Sequence, residues 1–192
     1  MRLLIVVFII CLLIAPSSSF SANSEQPWNE YTIMPEDFKD PKAPTFEQYP
    51  VAIKFSGKPA PVNLSGHSDA RSWRTRLKEG AKAGPNFADH MTVATWGCGA
   101  ECISIAFIDA KNGNVFFDKK LETLVAVNLH DDVYDKVLSF ERSSNLIIAA
   151  GCPNEECSTR RGVSYFLWTG TGLKEIYHVP RKWYPSDRLK GE

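Results

Sequence analysis

From Met91 onward, apolar and polar positions alternate in short blocks separated by Gly, Asn, Ser and Asp. Ile103, Ile105 and Phe107 fall on one face of a run over residues 103–109, the period-two spacing of a half-buried strand. Asn112-Gly113 follows, a dipeptide suited to a two-residue type I′ hairpin turn, and leads into residues 115–117. Residues 124–129, 137–140 and 146–150 read as further strands, the last entered through Ser143-Ser144-Asn145. Residues 163–168, the turn Gly170-Thr171-Gly172 and residues 173–179 complete the series. One upstream stretch has helical spacing. Trp73 and Leu77 stand four apart, Ser68 or Asp69 can cap, and Gly80 or Gly84-Pro85 can end it, while Arg71, Arg74, Arg76 and Lys78 stay solvated. The pattern predicts a mainly β protein, with antiparallel meanders in a compact barrel or two packed sheets and one short helix near residues 69–79.

Two of the strand blocks break in the same way. Residues 93–96 run into Gly97-Cys98, pass Gly99-Ala100-Glu101 and resume as apolar sequence after Cys102. Residues 146–150 run into Gly151-Cys152, pass a polar loop to Cys157 and resume at Val163. Cys98 and Cys152 are 54 positions apart, so the order strand, Cys loop, strand, Gly turn, strand reads as an internal duplication. Four cysteines permit three pairings. Loop entropy favours a long-range link, worth about 4 kcal/mol for Cys98 to Cys152 against about 2 kcal/mol for Cys98 to Cys102. Geometry favours the local one, because two cysteines flanking a tight strand-to-strand turn automatically lie within bridging range. The expected disulfides are therefore Cys98–Cys102 and Cys152–Cys157. A zinc site built from the C-x3-C and C-x4-C halves suits a reducing compartment better. A redox pair lacks the C-x2-C spacing, a βαβ setting, and a Lys or His beside Cys98.

The compartment follows from the N-terminus. Arg2 precedes an apolar run over residues 3–15, followed by Pro16 and Ser17 to Ser19, with a small-x-small site at Ser19-Phe20-Ser21. Thirteen apolar residues suit a signal-peptide core and are short for a membrane span. Ile10 before Cys11 is not the small residue that lipid anchoring at that cysteine would want. Residues 1–21 read as a signal peptide, residues 22–66 as an extended Pro-rich arm and residues 67–192 as a disulfide-stapled β domain, with 22–192 as one globular unit. Residues 49–55 are expected to form one strand within the arm. Asn63-Leu64-Ser65 matches a glycosylation acceptor, relevant only to a eukaryotic secretory route. Loss of Arg2 leaves 21 basic against 22 acidic residues, a balance that argues against nucleic acid as partner. A periplasmic or secreted protein without a stable membrane span after cleavage is expected.

The segments Phe87-Ala88-Asp89-His90, Trp96-Gly97-Cys98-Gly99-x-x-Cys102 and Ile108-Asp109-Ala110-Lys111-Asn112-Gly113-Asn114-Val115, with the later Ser143-Ser144-Asn145-Leu146-Ile147 turn, carry a resemblance. Over about residues 65–175 the chain resembles a family of small exported bacterial proteins of unknown function, whose pattern is Phe-Ala-Gly-His ahead of Trp-Gly-Cys-Gly-x-x-Cys. Asp89 stands where that pattern has Gly. The resemblance implies an exported bacterial β protein and implies no reaction.

Candidate chemistry is sparse. His67, His90, His130 and His178 form no H-x3-H or H-E-x-x-H spacing, and neither a G-x-S-x-G elbow nor a phosphate-binding glycine loop occurs. His130-Asp131-Asp132 reads as a polar turn ending a strand, and Asp109, Asn112 and Asn114 as hairpin chemistry rather than an EF-hand loop. No catalytic, metal or cofactor residue is assigned. Asp89, His90, Trp96 and Glu101 are the candidate recognition residues, since Gly97 and Gly99 let backbone approach a ligand. The expected function is an exported, non-catalytic binding or envelope-associated protein, whose bridged loop at residues 97–102 engages a protein or small ligand of the envelope. The alternative is a hydrolase or metal-assisted enzyme using His90, Asp89 and Glu101. An enzyme needs those groups converging in a concave pocket, and a binder needs a protruding loop.

Overall fold

The structure is a computed structural model that describes residues 31–182. Residues 1–21, expected to be a signal peptide and including Cys11, the first residues of the arm and residues 183–192 lie outside the described residues. Eight antiparallel strands form one sheet: β1 (Met91–Gly99), β2 (Cys102–Asp109), β3 (Val115–Phe116), β4 (Thr123–Val125), β5 (Leu138–Phe140), β6 (Leu146–Pro153), β7 (Gly162–Trp168) and β8 (Leu173–Pro180). The order is β1-β2-β4-β6-β7-β8, with β3 beside β2 and β5 beside β6. The two long hairpins, β1–β2 and β6–β7, each cross a Cys loop.

The sheet is open, which corrects the barrel expectation. Among the described residues the strand pairing between its two halves is limited to Leu124↔Pro153 and Val125↔Cys152. Yet the rings of Phe107 on β2 and Trp168 on β7 stack with centroids 5.3 Å apart. In a flat sheet these strands would be about 14 Å apart, three strand spacings. The halves must therefore fold toward one another across the narrow β4–β6 joint. Val93, Ile105, Phe107, Leu124, Ile147, Phe166 and Trp168 fill the space between them.

The outer faces are covered differently. On the β1–β2 half, Ala94, Trp96, Ala106 and Ile108 pack against Leu77 of helix α1 (Arg74–Ala81). On the β6–β7 half, Leu146, Ala150, Val163 and Tyr165 pack against Ile33, Phe38, Phe46 and Tyr49 of the arm. Both faces of each half are thus buried, which explains why β6 and β7 read as nearly continuous apolar runs rather than alternating ones.

Several local expectations change. Helix α1 begins at Arg74, after a 3-10 turn at Ser68–Ala70 capped by the His67 side chain, and it runs through Gly80 rather than ending there. Gly80 is a packing residue, because a Cβ on it would lie 2.5 Å from the Ala94 Cβ. Residues 49–55 form an extended strap rather than a sheet strand. Its ladder is limited to the bridge from Pro50 to Ser144 and the flanking backbone bonds of Tyr49 and Val51, after which the Lys54 and Phe55 N–H groups go to a side chain. The turn after β2 spans four residues, because Gly113 has φ 78° whereas Asn112 does not have positive φ, as a type I′ turn would require. Gly113 N–H instead donates to Asp109 O at 2.7 Å. Of the run expected over residues 124–129, only Leu124 and Val125 lie in strand β4, which begins at Thr123.

Candidate functional site

The cysteines pair locally: Cys98 with Cys102 across Cα atoms 5.2 Å apart, and Cys152 with Cys157 across 4.8 Å. What spacing alone does not reveal is where the two bridges lie. Val125 of β4 pairs with Cys102 on one side and Cys152 on the other. Both loops therefore stand at the same end of the sheet, about 10 Å apart by two strand spacings. Together they form a ridge.

The ridge is exposed and held stiff. Gly97, Cys98, Gly99, Ala100 and Glu101 are all exposed, as are Glu155 and Glu156. Glu101 O accepts from Ala126 N–H at 2.7 Å, which ties the first loop to the end of β4. Asn154 ties the second loop: its Oδ1 accepts from Glu122 N–H at 2.9 Å, and its Nδ2 donates to Lys119 O at 2.6 Å. Glu101, Asn154 and Glu155 have φ of 54°, 53° and 64°, a region non-glycine residues enter only when their surroundings hold them. Across the short helix α2 (Cys157–Arg160), Arg160 closes on Glu175 at 2.6 Å. Glu101 and Glu155 face solvent.

Trp96 does not belong to this surface. It is 7 % exposed and packs beneath Trp73, centroids 5.2 Å apart, with Phe117 edge-on at 6.4 Å. β1 alternates, so Trp96 turns toward α1 with Ala94, and of the candidate recognition residues this one belongs to the core. Trp73, 41 % exposed, is the ring that solvent meets.

Asp89 and His90 are also elsewhere. They immediately precede Met91, which pairs with Asp109, whereas Gly99 pairs with Cys102 at the far end of the same hairpin. Eight residues of strand separate the two ends by about 26 Å. Glu101 therefore cannot join Asp89 and His90 in one site, and the expected cluster divides. Ala88 and Asp89 have φ of 42° and 67°, so the position where the resembling pattern has Gly does adopt a glycine-like conformation.

Asp89 locks the arm to the domain. Its Oδ1 accepts from Lys54 N–H at 2.7 Å and Phe55 N–H at 2.8 Å. Arg142 donates to Asp89 O at 2.9 Å and also to Phe55 O. His90 Nδ1 lies 3.3 Å from Asp89 Oδ2 and 3.1 Å from Lys111 Nζ. These groups edge a groove of about 450 Å³, also lined by Lys54, Asn145 and Trp168. The Phe55 N–H is the largest influence holding the Asp89 carboxyl down to about 2; Lys54 N–H, His90 and Lys111 help, while burial opposes. An unfolded aspartate titrates near 3.8. Its stabilising effect is thus complete above about pH 4 and lost as pH falls from about 4 to about 2. Urea unfolding at pH 4.5 and 2.5 should show this loss in the native chain, with a smaller difference in Asp89→Asn.

One constellation was not anticipated. Ser164 on β7 faces His178 on β8, Oγ to Nδ1 2.9 Å, and Glu175 Oε1 lies 3.9 Å from the same nitrogen. A catalytic triad needs the hydroxyl and the acid on opposite ring nitrogens. Here both address Nδ1, Ser164 is fully buried, and burial holds His178 below its ordinary value. The group is a core polar contact, legible only from the β7–β8 register. His130 likewise caps a 3-10 turn, accepting from Asp132 N–H at 3.2 Å. Among the described residues, no three His, Cys, Asp or Glu are placed to hold a metal ion, and no helix is long and apolar enough to cross a membrane. Comparison with protein-family models, curated proteins and solved structures finds no match to this chain.

Proposed function

We propose that the protein is an exported, non-catalytic binding module that recognises an envelope partner through its disulfide ridge. The observation that carries this reading is the placement of both bridged loops on either side of Val125, exposed at one end of the sheet. A loop held by a disulfide and by backbone hydrogen bonds loses little entropy on binding, which is the advantage of a rigid recognition surface. Two disulfides also fit an oxidising, non-cytoplasmic compartment. Periplasmic or secreted localisation, and membership of the resembling exported family, belong to the same proposal. Acidic Glu101, Glu155 and Glu156 on the ridge suit a partner with a basic surface.

The enzyme alternative is weakened because Glu101 lies about 26 Å from Asp89 and His90, by strand length. Reversing the ridge charges in Glu101→Lys/Glu155→Lys should reduce partner capture from an envelope extract at least tenfold while the thermal midpoint stays unchanged. Undiminished capture would place recognition elsewhere.

A further inference from the structure

Along an antiparallel strand, alternate residues bond to one neighbour and those between them to the opposite side. In β1, Met91 exchanges backbone hydrogen bonds with Phe87, and its carbonyl also accepts from Asn86 N–H. Val93 N–H donates to Asn86 Oδ1 at 2.8 Å, and Asn86 Nδ2 donates to Val93 O at 3.2 Å. Met91 and Val93 therefore bond away from β2. Thr95 and Gly97, two and four residues beyond Val93, present their N–H and C=O in that same outward direction. β1 is the last strand in the sheet order, so among the described residues no strand pairs with this side. Both residues are exposed. Among the described residues a Cβ built on Gly97 meets nothing within 4 Å, and its φ is not positive; the register shift of the β1–β2 hairpin falls between Gly97 and Gly99. Glycine does leave room for a second backbone to approach.

We propose that the β1 edge at residues 95–97 takes up an extended peptide segment of a partner protein by strand addition, with an apolar side chain laid on Trp73 and a basic residue beside Glu101. This rests on the binding-module reading above and names how the partner docks. The free edge is short, because Asn86 already occupies it at Val93. Antiparallel pairing of two copies about Gly97 would set the second chain against Asn86 within four residues, leaving a contact well under the roughly 1,200 Å² of a stable dimer. Of the chain's own segments, residues 22–30 contain Glu25 and Glu30 and no basic residue, a poor match for Glu101, and residues 183–192, which carry Arg188 and Lys190, follow β8, the strand at the opposite end of the sheet order from β1. A short strand with alternating apolar and basic side chains matches both Trp73 and Glu101.

The test uses the disulfide-intact protein and a decapeptide of alternating Val and Lys, with amide hydrogen exchange followed by NMR. Bound peptide should slow exchange at Thr95 and Gly97 at least tenfold. A backbone N-methylated peptide should not bind, because it lacks the ladder hydrogen bonds. Gly97→Pro removes the outward N–H, while also fixing φ at 97 and restricting Trp96, and should weaken binding at least tenfold. The N-methylated peptide keeps the test decisive if that variant fails to fold. Equal binding of both peptides without slowed exchange would overturn strand addition and leave the ridge reading standing. Slow exchange without peptide would assign the edge to the chain's own residues, or to a second copy if it depends on protein concentration, and would also overturn it. Absence of binding at millimolar peptide would do the same, and the charge-reversal capture assay would still judge the ridge separately.

Discussion

Gly151→Ala is expected to destabilise the protein by about 2–4 kcal/mol, among the largest effects of any single methyl addition. Gly151 has φ 141°, and a Cβ there would lie 2.3 Å from Val125 O. That carbonyl belongs to β4, the three-residue strand that joins the two halves of the sheet. A methyl group must push β4 away, and the displacement reaches both disulfide loops because Val125 pairs with Cys102 and Cys152. Urea denaturation gives the loss directly. Gly97→Ala is the control: it meets nothing within 4 Å and should change stability by less than about 0.5 kcal/mol. Equal tolerance of both substitutions would mean that β4 is not a tight joint.

Phe87→Ala should cost about 3–5 kcal/mol, the range for deleting a fully buried aromatic side chain. Phe87 is 0 % exposed, and its ring meets Phe107, Phe140 and Trp168 at centroid distances of 6.2, 6.3 and 6.5 Å. It touches strands from both halves of the folded sheet, so its loss opens the shared core rather than one edge. Near-ultraviolet circular dichroism should weaken with the fall in stability. A cost below about 1 kcal/mol would show that the halves do not close on Phe87.

What the sequence makes legible is governed by range. Residues 103–109 and 163–168 announce strands through their own spacing, and the local Cys pairings follow from the reach of a turn. β4 does not announce its importance, because three residues carry no periodicity and its role comes from the partners of Val125, Cys102 and Cys152, 23 and 27 positions away. Trp96 looks like an anchor beside an exposed loop, yet strand alternation turns it under α1. Asp89 looks like a site residue, but its carboxylate is committed to Lys54 and Phe55, 35 and 34 residues upstream, a link without local pattern. Glu101 keeps its predicted place in the bridged loop; its separation from His90 follows once β1 and β2 are read as one long hairpin.

Recognition by the ridge is tested most directly by site-specific photo-crosslinking in the envelope fraction of the source organism. A benzophenone side chain replaces Glu101 or Glu155 in one pair of variants, and Lys54 at the Asp89–His90 groove in a third. The predicted result is one discrete adduct from positions 101 and 155, suppressed by excess native protein, with no such adduct from position 54. Adducts from position 54 alone, or hydrolysis of a substrate that disappears in His90→Ala with the fold intact, would contradict recognition by the ridge.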